Sequence, residues 1–182
     1  MTATSAHPTR TALLSAGLRL AERDGLAKVS VNGIVREARV AKGTFYVHFP
    51  DRRDYFVALH RDFHDALERD VESATAPVDG ARERLEAGAT AYLDGCLRQS
   101  GVKALLLEAR AEPAVHAEVR SRNRRFAHRA RGEFATLGWP APEHAARLFV
   151  AMAAETALGE LEAGRRVQAL RDTLLMFLRA KG

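Results

Sequence analysis

Between Arg39 and Phe49 the chain reads Arg-Val-Ala-Lys-Gly-Thr-Phe-Tyr-Val-His-Phe, side chains that suit a polyanion better than a small substrate. A helix entering the major groove of DNA needs small or polar groups on its outer face, so that its backbone can sit deep between the strands. Ala41, Lys42, Gly43, Thr44 and Val47 meet that need. The Lys42 ammonium can donate to guanine O6 and N7, the Thr44 hydroxyl can meet a base or a phosphate, and Val47 can touch a thymine methyl. Tyr46 and His48 suit the groove rim, where a phenol or an imidazole donates to phosphate oxygen. Arg39 adds a cation before this helix. Arg52 adds one after it, at a helix start whose unpaired N–H groups already favour an anion. Singly, Tyr46 reads as packing, Lys42 as solvated charge and His48 as surface. Their fixed spacing behind an amphipathic helix points to duplex DNA.

Such groups need a rigid frame. Leu13, Ala16, Gly17 and Leu20 fall at helical spacing between Pro8 and a stop at Asp24-Gly25, with residues 1–9 expected as a flexible arm. Ser30 is a good N-cap for a second helix carrying Val31, Ile34, Val35 and Ala38 on one face. Gly33 inside it costs about 1 kcal/mol relative to Ala, so tertiary packing must hold it. After a turn at Arg39-Val40 the apolar stripe resumes at Ala41, Phe45 and Phe49, and Pro50 ends the third helix. Two short helices joined so tightly must cross steeply, which is helix-turn-helix geometry. Leu20, Ile34, Val40, Phe45 and Phe49 form its expected core.

Asp51 can cap a connecting helix over 51–73, with Phe56, Leu59, Phe63, Leu67 and Val71 on one stripe. Proline, glycine and polar breakers divide the rest into helices near 78–98, 102–111, 114–137, 142–163 and 166–180. The expected fold is all-α with about nine helices, a DNA-binding domain over 1–53 and a second domain over 54–182.

The stretch Gly25 to Phe56, above all Gly43-Thr-Phe-Tyr-Val-His-Phe49, resembles the DNA-binding signature of the TetR family of bacterial transcriptional regulators. That resemblance implies a homodimer on a palindromic double-stranded DNA operator, usually a repressor, released when a small-molecule effector binds the carboxy-terminal domain. By position Thr44, Tyr46, His48 and Arg52 match the family's DNA contacts, with Lys42 as base reader. Arg39 stands where the family usually has a turn glycine, Arg52 where it often has lysine, and Ala41 where it has a capping serine, a loss of about 1 kcal/mol.

Composition agrees with this class. The 182 residues are 47% hydrophobic, enough for a real core, and the net charge is +5. Residues 1–53 hold nine Lys or Arg against four acids, so the opening segment carries the whole excess. Arg10 and Arg19 interrupt any leader-like apolar stretch, and the longest apolar run, Leu148 to Ala154, is far below the roughly 20 residues that span a bilayer. A cytoplasmic protein without membrane contact is expected. The lone Cys96 reads as a small buried hydrophobe. His60 and His64 lack a third ligand and read as a solvated helix flank. No metal or cofactor is expected.

The helix from 142 is apolar all round over Leu148 to Ala154, which asks for burial on two sides. One side suits the chain's own core and the other a second subunit, through the last two helices. Phe149, Met152, Ala153, Thr156, Leu170, Leu174 and Phe177 are the expected interface, against the alternative of a central helix in a monomer. Effector candidates are Phe63, Leu67, Tyr92, Cys96, Leu106, Arg110, Phe126, Met152 and Glu155. The arginines from Arg120 to Arg131 read as the wet face of a helix whose apolar stripe is Val115, Val119, Phe126, Ala130 and Phe134, with an anionic effector site as the alternative. Two rival classes are a small all-α enzyme or carrier with a structural helix-turn-helix, and an effector-free architectural DNA-binding protein. Against the enzyme, the sequence offers no nucleophile elbow, phosphate loop, metal cluster or paired-carboxylate signature.

Overall fold

The computed structural model describes residues 8–25, 29–99 and 113–179, in which eight helices and no strand occur. They are α1 (Pro8–Asp24), α2 (Val31–Ala38), α3 (Lys42–His48), α4 (Arg52–Thr75), α5 (Ala81–Arg98), α6 (Pro113–Thr136), α7 (Pro142–Ala163) and α8 (Gln168–Arg179). Pro8 and Thr9, expected in the arm, already belong to α1. The helix expected near 102–111 lies outside the described residues.

Local chemistry sets the boundaries. The Ser30 hydroxyl accepts from the Gly33 N–H at 3.1 Å, and the Asp51 carboxylate accepts from Asp54 N–H at 2.8 Å, each satisfying a donor the helix start leaves orphaned. Gly164 ends α7 at φ +66, a left-handed conformation that turns the chain into α8. There the buried Glu160 carboxylate accepts from the Val167 N–H at 2.9 Å and from the buried Arg171 guanidinium at 2.7 and 2.8 Å. Arg171 also reaches Asp94 on α5, so one buried cation fixes α8 on two neighbours.

Two hydrophobic cores share α4. The first collects Leu13, Leu20, Ile34, Phe45 and Phe49 with Tyr55, Phe56 and Leu59 of α4, and Val115 reaches into it from α6. Tyr55 is its keystone, because the hydroxyl donates to the Leu13 carbonyl at 2.8 Å and the ring packs against both Phe45 and Phe49. A Cβ at Gly17 would overlap that hydroxyl, so glycine is what lets α1 and α4 approach. The second core begins at Phe63 and Leu67 and continues through Leu93, Phe134, Phe149 and Leu174.

At the junction the sequence reading needs correcting. His60 and His64 are no solvated flank: both are buried, their rings lie 4.3 Å apart, and none of their four nitrogens meets a hydrogen-bond partner among the described residues. The reason is α6, which crosses α4 on that side. Nor is the arginine run of α6 wholly wet. Arg122 is 4% exposed and pairs with Asp65 and Glu68 of α4 and with Glu118, while Arg125 and Arg129 reach Glu68 and Arg129 also reaches Glu72.

Burial pushes the His60 imidazole down to about 4, against the smaller pull of Glu118 and with the help of Arg122, and moves His64 down as well. Both are therefore neutral in the folded chain at neutral pH and protonate more readily once unfolded, near 6.5. Their stabilisation is fully present above about pH 6.5 and is lost as pH falls below it, toward about 4 for His60. Urea titrations at stepped pH should show the folding equilibrium weakening about tenfold per pH unit for His60 over that window, with His64 steepening the loss in the same direction. The double variant His60→Leu/His64→Leu should flatten the slope.

Candidate nucleic-acid interface

The surface that the sequence reading assigns to DNA is built by a turn that holds α3 away from α2. Arg39 caps α2 at φ +57, its N–H donating to the Arg36 carbonyl at 3.2 Å, and Val40 N–H donates to the Val35 carbonyl at 3.0 Å. Arg39 is the one non-glycine residue with positive φ among the described residues. Ala41 starts α3 in extended conformation with no side-chain cap. Anchoring comes instead from below, where Phe45 and Phe49 are buried against Tyr55. Fixing these two rings turns Lys42, Gly43, Tyr46 and Val47 outward, and Val47 is 80% exposed. Thr44 and His48 are half-buried at the edges of that face.

Positive charge surrounds this helix unevenly. Arg36, Arg39 and Lys42 are exposed and make no ion pair among the described residues. Arg19 and Arg23 of α1 instead hold Glu37 at 3.0 and 3.3 Å, and the Arg19 contact keeps that carboxyl below the usual range. Arg52 has a structural task besides the one expected of it. Its Nε donates to the Val29 carbonyl at 3.2 Å and its guanidinium lies 4.4 Å from the Phe56 ring centre, strapping the segment before α2 onto α4. Arg10, missed in the sequence, lies over Phe49 at 5.3 Å. Only the fold brings α1 beside α3.

A cavity of about 230 Å³ opens between α4, α5, α6 and α7. Of the expected effector residues, Tyr92 and Phe126 line it. Phe63, Leu67 and Cys96 are buried core, with burial pushing the Cys96 thiol up to about 12, and Met152 packs on that core from outside the cavity. Glu155 is exposed on α7, and the buried acid of that helix is Glu160. Leu106 and Arg110 lie outside the described residues. The lining that sequence reasoning missed includes His64, Arg84, Arg129 and Glu133, polar residues whose types read as surface.

The last two helices need a similar correction. Phe149, Ala153, Thr156 and Leu174 are buried within the chain itself, and Phe177 packs on the same core. An all-apolar run carries no period, so the sequence could not tell its inner from its outer face. Leu148 and Met176 are 59% and 62% exposed, and Leu170 is also exposed, beside Gly159. Those three, with Met152 one turn beyond Leu148, make the outward apolar surface of α7 and α8.

The family described as bacterial regulatory proteins, tetR family, matches residues 13–59, which span α1 to the first turns of α4. The whole chain is similar in fold to a transcriptional regulator from Rhodococcus sp. RHA1, with a TM-score of 0.81 at 21% identity over 94% of this chain and 95% of that one. A TetR-family transcriptional regulator from Streptomyces coelicolor gives a TM-score of 0.76 at 21% identity over 96% and 88%. The regulator FadR from Bacillus subtilis, solved with stearoyl-CoA, gives 0.78 at 17% identity over 94% and 98%.

The turn supplies a direct test of local strain. A side chain in the left-handed region costs roughly 1–2 kcal/mol, whereas glycine there costs about 0.5–1 kcal/mol in unfolded-chain entropy. Arg39→Gly should therefore raise stability by about 0.5–1 kcal/mol in chemical denaturation.

Proposed function

We propose that this chain, whose residues 13–59 match the tetR family of bacterial regulatory proteins, is a dimeric, cytoplasmic repressor released from a palindromic operator by a small-molecule effector. The observation that carries this reading is the match over residues 13–59 coinciding with a helix-turn-helix whose Tyr46 and Val47 stand out from the fold. In this reading α3 enters the major groove. Lys42, Thr44 and Val47 read bases, Gly43 lets the backbone approach, and Tyr46 and His48 donate to phosphates. Arg39 and Arg52 add phosphate contacts at the two ends of the helix. The strain at Arg39 is then offset by a cation that glycine could not supply.

Dimerisation through α7 and α8 is supported by their outward apolar surface, with Leu148, Met152, Leu170 and Met176 as its centre. Two copies would set two recognition helices about 34 Å apart, one turn of duplex, on half-sites of opposite sense. The cavity favours an effector-responsive regulator over an architectural protein, and we read the chain as a regulator and not an enzyme.

Duplexes selected from a random library should yield a palindrome bound on the order of 10³-fold more tightly than unrelated DNA, measured by fluorescence anisotropy. Lys42→Ala with Tyr46→Phe should weaken that binding at least tenfold. Unchanged affinity would refute the assignment of contacts. Arg39→Gly should lower the salt slope by about one phosphate contact despite its stabler fold. In native mass spectrometry, Leu148→Glu with Met176→Glu should convert dimer to monomer, whereas a retained dimer would place the interface elsewhere.

A further inference from the structure

The cavity between α4, α5, α6 and α7 carries a charge pattern and an unused polar group that together restrict what can enter. Four charged residues border it, two of each sign, and they are paired across helices. Arg84 of α5 holds both oxygens of Glu133 on α6 at 3.0 and 2.7 Å, and Arg129 of α6 holds Glu72 of α4 at 2.8 Å. An ionic ligand would give up water and find its counter-charges already neutralised. The remaining wall is mainly apolar and includes the rings of Tyr92, Phe126 and Phe149.

His64 also forms part of this wall. It is 3% exposed, and neither ring nitrogen has a hydrogen-bond partner among the described residues. The adjacent His60 ring offers no relief, since its nitrogens are unpartnered as well. A buried polar group left unsatisfied in a native fold asks for a partner from outside the chain. Thr75 makes no such demand, because its hydroxyl already donates to the Val71 carbonyl at 2.8 Å.

We propose that the cavity takes an uncharged, ring-sized aromatic molecule bearing a hydroxyl, with that hydroxyl paired to the His64 imidazole. This rests on the reading of the carboxy-terminal domain as the effector domain. A neutral imidazole offers one donor and one acceptor, and a hydroxyl complements either tautomer. A carboxylate accepts only, and its natural partner would be an imidazolium, which burial opposes at this position. At about 230 Å³ the space lies below the roughly 300 Å³ at which drug-sized sites begin, which suits one or two fused rings.

Isothermal titration of the full chain with 1-naphthol, naphthalene and 1-naphthoate at neutral pH tests this. Naphthol should bind about tenfold more tightly than naphthalene, the worth of one good hydrogen bond, and more tightly still than naphthoate. His64→Leu should erase the advantage of naphthol while leaving naphthalene binding within about threefold, and Ala130→Phe, which fills the cavity, should abolish both. The ranking of ligands on the unaltered chain needs no variant to fold. Naphthoate binding as tightly as naphthol, or an advantage that survives in His64→Leu, would overturn the proposal. Should naphthoate bind and displace the selected operator, only the ligand class fails. Should none of the three bind or alter operator affinity, the proposal fails and the effector reading loses its support at this cavity.

Discussion

One buried cation governs how the two halves of this chain meet. Arg122 sits where the two cores adjoin, and its guanidinium is shared among Asp65 and Glu68 of α4 and Glu118 of its own helix. Removing one partner of a buried pair typically costs about 3–5 kcal/mol, because the other charge is left without water. The Arg61–Glu118 and Arg129–Glu72 pairs flank it along the same two helices. As exposed pairs they contribute little energy but fix direction. Helix α6 is thereby registered on α4, and α4 is also the helix that closes the helix-turn-helix core.

This arrangement gives the cavity and α3 a common wall. Glu72 and His64 on α4 border the cavity, while Tyr55 and Phe56, two to three turns earlier than His64 on that helix, hold Phe45 and Phe49 under α3. A ligand that moves α4 relative to α6 must disturb either the carboxylates around Arg122 or the packing under α3. The fold thus has few soft places between its two sites. Glu160 and Arg171 stiffen the far side in the same manner, tying α8 to α7 and α5.

Much of this was legible from residue types. Ser30 and Asp51 announced their caps, Phe45 and Phe49 their burial, and the breakers Pro113, Pro142 and Gly164 the ends of long helices. What could not be read depended on which helix lies against which. His60 and His64 look like surface until α6 is laid across α4. Arg122 is chemically identical to its neighbours in the run, and only the carboxylates facing it single it out. Over Leu148 to Ala154 the uniform apolar character erased the period that would have separated core from exterior. The cavity eluded sequence reasoning for a related reason, since empty space belongs to no single stretch of chain.

Val115 leaves its mark on a different process. It is buried in the first core alongside residues of α1 to α4, yet it belongs to α6, with the whole of α5 between it and the end of α4 in the chain. On the ribosome, the helix-turn-helix emerges well before the residue that seals it. A nascent chain therefore exposes an unfinished apolar surface on α1 to α4 until the first turn of α6 has been synthesised.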